Sequence, residues 1–135
     1  CRNVTKLFVP RGYTFDGLFE ALLPWGDDLM VNRKYMNNYE YNRTIYLLNS
    51  EKMLDNNFLV IKEDSNLASP PGILFFEYYD NLETVENRVS LDSNQIQCVV
   101  SNLPIQNAIS FGAAQKPAPW EYSDGFDTIN FLLKL

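Results

Sequence analysis

The sequence of 135 residues contains no histidine and only two cysteines, Cys1 and Cys98. Without histidine, neither a Ser-His-Asp nor a Cys-His arrangement can be assembled within this chain, and the commonest zinc ligand is missing. Two thiols are too few for a four-ligand zinc cluster. A chain of this length with ample apolar content does not need a disulfide, so reduced thiols and a cytoplasmic setting are expected. Positive charge is also scarce, with 11 Lys and Arg against 17 Asp and Glu and a net charge of −6. Binding phosphate backbones takes a surplus of Lys and Arg, so nucleic acid is not an expected partner. No apolar run approaches the roughly 18 residues that mark a transmembrane helix, so no membrane span is expected. Repeats, linkers and low-complexity tracts are lacking as well.

What the chain has in quantity is apolar and aromatic side chains. Hydrophobic residues make up 46% and charged ones 21%, with nine Phe, eight Tyr and two Trp. That balance fits a single globular domain and excludes disordered, collagenous and coiled-coil classes. KLFVP at residues 6–10 reads as a short buried strand closed by a Pro-Gly turn signal. Residues 16–23 read as a helix, with Asp16 as its cap and Pro24 as its stop. Residues 25–38 are mixed, a loop with helical tendency. The spacing of Tyr41, Ile45 and Leu48 predicts a helix over 39–54 with one apolar face, ended by Asp55-Asn56-Asn57. FLVI (58–61), ILFFEYY (73–79) and IQCVV (96–100) read as strands, with a further short one over 108–111. Helices are expected over 82–89 and 123–135, the latter from Phe126, Ile129 and Leu133. Strands alternating with helices predict an α/β domain with a largely parallel open sheet. Function in such sheets gathers at the carboxyl ends of strands, here at Glu63-Asp64-Ser65 and at FGAAQ (111–115).

Among chemistry-bearing residues, Cys1 is the obvious nucleophile, with Arg2 and Lys6 lending positive charge nearby. On residue type alone it also reads as a small buried side chain at a chain end. Cys98 has apolar neighbours and reads as core. Glu63 and Asp64 are adjacent carboxylates after a strand, which fits a ligand contact or a solvated turn. Phe111-Gly112 and the Ser-Pro-Pro-Gly segment at 69–72 are either close-approach loops or plain connections.

The motifs CRNVTKLFVPRGYTFD, NNYEYNRTIYLLN, LDNNFLVIKEDS, IQCVVSN and FGAAQKPAPWEYSDGFDTINFLL, in that order, resemble the carboxyl-terminal part of bacterial acyl-CoA reductases. These are relatives of the fatty-acyl reductase of bioluminescence operons, within the aldehyde dehydrogenase superfamily. The resemblance covers essentially the whole chain. It implies an aldehyde-dehydrogenase-like catalytic domain, a three-layer α-β-α arrangement around a mostly parallel open sheet. Residues 1–135 would be the carboxyl-terminal lobe of a two-lobe reductase whose nucleotide-binding lobe lies upstream, inactive alone and a homo-oligomer at full length. Cys1, Lys6 and Val9 look like the superfamily's cysteine, basic residue and strand-end valine. Cys1 would then attack acyl-CoA, release CoA and hold the acyl group as a thioester, and NADPH or NADH would supply hydride to give the aldehyde. The backbone amide of Cys1 would be one oxyanion donor. The resemblance assigns Glu63 to the nicotinamide-side ribose hydroxyls, although no Phe-Gly-Pro follows it and the register can equally select Asp64. Phe111-Gly112 resembles the superfamily's late Phe-Gly-Gly loop. Two other classes compete: an amino-terminal-nucleophile hydrolase using Cys1 and its α-amine, and a non-catalytic interaction domain docking through its aromatic surface.

Overall fold

The computed structural model describes residues 3–122 and 126–135. The chain divides into two compact units, one spanning Val4–Asn81 and the other made largely of Leu82–Leu135. The first unit is mixed α/β. Strand β1 (Lys6–Pro10) is followed by helices α1 (Asp16–Leu22), α2 (Gly26–Val31) and α3 (Arg33–Leu48). A two-residue strand β2 (Leu54–Asp55) then leads to β3 (Val60–Glu63) and β4 (Ile73–Tyr79). The sheet order is β1-β4-β3-β2. β1 and β3 both run parallel to β4, and only the short edge strand β2 is antiparallel.

The sheet is covered on both faces, which is why β4 reads as a nearly continuous apolar run. On one face Val9, Ile61, Leu74 and Phe76 pack with Phe15 and with Leu18 and Phe19 of α1. On the other, Val60, Ile73 and Phe75 pack with Tyr39, Met36 and Tyr46 of α3. The expectation of a mostly parallel α/β sheet flanked by helices holds for this unit.

Helix α3 differs from its expected bounds and face. It begins at Arg33, where the Asn32 side chain caps it by accepting from the Tyr35 N–H at 3.1 Å, and it ends at Leu48. Its inward face is Met36, Tyr39 and Tyr46, while Tyr41 and Leu48 are exposed. Asparagine-rich helices have poor intrinsic propensity, and packing on the sheet decides the outcome. Asp55-Asn56-Asn57 does not end this helix but turns β2 into β3. There the Asp55 carboxylate accepts from the Asn57 N–H at 2.9 Å, and Asn56 Oδ1 accepts from the Leu59 N–H at 2.9 Å. Asp16 is the first helical residue of α1 rather than its cap, which is Phe15.

The Pro-Pro-Gly turn at 70–72 presses against α3. Gly72 has φ +82°, and a Cβ there would lie 2.7 Å from Tyr39 Cβ and 2.9 Å from Tyr39 Cα. Only glycine fits that left-handed, close-packed position, so this segment is a structural wedge as well as a connection.

In the second unit, helix α4 (Leu82–Leu91) buries Val85. IQCVV does not form a sheet strand. Its one ladder contact is an isolated bridge between Val100 and Ile109, because no neighbouring strand runs alongside it among the described residues. Helix α5 (Thr128–Leu132) is shorter than expected, and residues 123–125 of the expected helix lie outside the described residues. Phe126, Ile129 and Leu133 are exposed, so they do not form a buried face.

Candidate functional site

The three parallel strands point their carboxyl ends the same way: Pro10 and Tyr79 end in register, and β3 stops at Glu63, level with Phe76. Open α/β sheets take their ligands at such ends. Glu63, the last residue of β3, pairs with β4 through its backbone and is exposed, and its carboxylate has no hydrogen-bond partner among the described residues. Arg11, the residue after β1, has its pKa raised chiefly by Asp80, with a smaller contribution from the Glu63 charge. Arg11 makes a two-pronged pair with Asp80, at 2.7 and 3.1 Å, and this holds the Asp80 carboxyl below its ordinary value.

Asp64, one residue on, is committed differently. Its carboxylate accepts from Lys62 Nζ at 2.7 Å and from the backbone and side-chain N–H groups of Asn66 at 2.9 and 2.8 Å. Burial works against the charge, but these bonds outweigh it and hold the carboxyl below its usual range. Of the two adjacent carboxylates, Glu63 is the one open to a ligand.

Lys6 and Lys62 project from the α3 face of the sheet on either side of Phe75, with which both are in register. Their side chains are only 7% and 13% exposed. Lys6 pairs with Glu77 at 2.6 Å and donates to the Asp64 carbonyl. Lys62 pairs with Glu51 at 2.9 Å, and its ammonium lies 5.2 Å from the centre of the Tyr46 ring. Although burial lowers the Lys62 pKa, bonds to Asp64 and Glu51 dominate and raise it. A separate polar group ties β2 to α3: Asp55 accepts from Tyr39 at 2.6 Å and from Arg43. Burial opposes its charge, yet the bonds from Arg43, Tyr39 and the Asn57 N–H leave its pKa lowered.

Cys1 and Arg2 lie outside the described residues. Cys98 does not sit in a core as expected. It is partly exposed and lines an open hollow of about 490 Å³ in the second unit, beside α4 residues Glu86 and Ser90 and beside Ile105. The cause is that its segment lacks a sheet to join. In the Phe111-Gly112 loop, Gly112 takes φ +78° and Phe111 is exposed. Among the described residues no cluster of His, Cys, Asp and Glu is arranged to hold a metal ion, and no helix is long and apolar enough to cross a membrane.

Sequence reasoning passed over Lys62 and Asp55. The signal for Lys62 was the period-two alternation of β3, which puts it on the same face as the buried Val60. No local pattern marks Asp55, whose partners Tyr39 and Arg43 come from the preceding helix. Comparison with protein-family models, with curated proteins and with solved structures found no match to this chain.

Proposed function

We propose that the chain is the carboxyl-terminal catalytic part of an acyl-CoA reductase of the aldehyde dehydrogenase superfamily, reducing fatty acyl-CoA to aldehyde with NADPH or NADH. The observation that carries this reading is the ordered run of motifs, from CRNVTKLFVPRGYTFD to FGAAQKPAPWEYSDGFDTINFLL, across the length of the sequence. Two structural facts support it. Residues 3–5 lead into β1 of a mostly parallel sheet covered by helices, and Glu63, at the carboxyl end of β3, presents a carboxylate with no hydrogen-bond partner among the described residues.

In this reading the Cys1 sulfur attacks the thioester carbonyl of acyl-CoA. A new carbon–sulfur bond forms, the bond to CoA breaks, and the CoA thiolate leaves, so the acyl group is held as a cysteine thioester. The backbone N–H of Cys1 donates to the oxygen that carries negative charge during this exchange. Glu63 fits a ribose contact because a carboxylate accepts hydrogen bonds from two hydroxyls, and among the described residues no donor is hydrogen-bonded to it, Arg11 acting on it only through its charge. When bound, the reduced nicotinamide supplies the hydride. The test uses the reductase with its nucleotide-binding lobe, following aldehyde formation from acyl-CoA. Cys1→Ser is expected to lower the rate by about a thousandfold or more, and Cys98→Ser to leave it unchanged. An active Cys1→Ser enzyme overturns the proposal.

A further inference from the structure

Every polar backbone and side-chain group of Asp64 is engaged. Its N–H donates to the Phe76 carbonyl at 3.1 Å, and its own carbonyl accepts from Lys6. One carboxylate oxygen takes Lys62 at 2.7 Å, and the other takes two donors from Asn66. The next residue back is Glu63, whose carboxylate is exposed and has no hydrogen-bond partner among the described residues. The two lysines come from β1 and β3 and are anchored in turn by Glu77 of β4 and by Glu51. We infer that Lys6, Lys62 and Asp64 form a clamp that fixes the backbone carrying Glu63, making the two lysines positioning residues for the cofactor contact. This rests on the reading of Glu63 given above.

The physical case for a positioning role is the cost of keeping these charges where they are. Nearly buried ammonium groups pay heavily for lost hydration, and a well-packed apolar side chain in their place is often as stable or more so. At position 62 an apolar residue would rest against Tyr46 and Phe75, whose rings already flank the Lys62 ammonium at 5.2 and 5.6 Å. What the charges add is direction. Two ammonium groups converge on one residue, one on its carbonyl and one on its carboxylate, so the Asp64–Ser65 peptide and the Asp64 side chain have little freedom to rotate. The Asp64 N–H bond to the Phe76 carbonyl holds the peptide that joins Asp64 to Glu63. A ligand contact held by a fixed backbone loses less entropy on binding than one on a free turn.

A double-mutant cycle in the full reductase tests this, with NADPH and NADH affinity read by nicotinamide fluorescence and no turnover involved. Glu63→Ala alone tests the underlying reading, and unchanged cofactor affinity there would overturn both that reading and the inference. Lys62→Met keeps the stem and removes the charge. It is expected to weaken cofactor binding by about tenfold in the parent and to have little effect in the Glu63→Ala background. Lys6→Met is expected to behave in the same way, so loss of folding in one variant leaves the other to decide. In both variants the Asp64 and Asn66 amides should exchange faster while overall unfolding stays in place. An equal loss of affinity with and without Glu63 would mark a general structural effect and overturn the inference alone, as would parent affinity in both lysine variants.

Discussion

Val4–Asn81 and Leu82–Leu135 use similar sequence material to different ends. Each contains short β-branched and aromatic runs between helical stretches. In the first unit ILFFEYY becomes a central strand, flanked by β1 and β3 and covered by α1 and α3. In the second, IQCVV finds one bridge partner at Ile109 and stays half exposed. Every buried apolar residue among those described belongs to the first unit except Val85. An apolar run becomes a core strand only when other strands satisfy its backbone and helices cover its faces. The first unit supplies both, whereas in the second, among the described residues, the run has a single bridge partner and borders an open hollow beside α4.

The largest contrast should come from truncating one apolar residue in each unit. Ile61 is fully buried, and Ile61→Ala is expected to cost about 3 kcal/mol in urea unfolding. Val99→Ala, at a half-exposed position, should cost less than about 1 kcal/mol. Equal losses would erase the distinction. Next in size is Gly72→Ala, which adds a Cβ against Tyr39 in left-handed backbone and should cost about 2 kcal/mol. A neutral result would mean that the turn does not wedge against α3.

Acid should then separate the units more gently. The pKa of Asp55 is depressed in the folded state, so its stabilising contribution is present above the unfolded value of roughly 3.9. That contribution is lost as pH falls through the folded value, and Asp64 acts in the same direction. Amide exchange between pH 5 and 2 should therefore show β2 and the Glu63–Asp64 turn loosening, with Asp55→Asn reducing the acid sensitivity of β2. An unchanged acid profile in Asp55→Asn would contradict this. The smallest effect concerns Cys98. A hydrophilic maleimide should label it in the native protein with no shift in unfolding midpoint, whereas a core position would be protected.

How far the sequence could be read follows the same division. Strands β1 and β4 were legible to the residue, because continuous apolar runs bounded by turn signals have few other uses. Helix α3 was found but displaced by six residues at each end. Its Asn-rich start carries little propensity, and the face that turns inward is chosen by the sheet, through Met36, Tyr39 and Tyr46. IQCVV has the same local pattern as a core strand, and nothing within five residues tells whether a neighbour exists. At the candidate site, β3 runs Val60–Glu63, two residues later than the expected strand over 58–61, so Glu63 is the last strand residue rather than a carboxylate beyond the strand. That Asp64 is engaged and Glu63 is not depends on Lys6, 58 positions away in sequence, and on Lys62.

The most direct test of the functional account is to incubate the longer protein that the proposal calls for with radiolabelled acyl-CoA, without nicotinamide, and to map the labelled peptide by mass. The account predicts a thioester on Cys1 and none on Cys98, lost on treatment with hydroxylamine. Label on Cys98 alone, or no covalent acyl group at all, would contradict it.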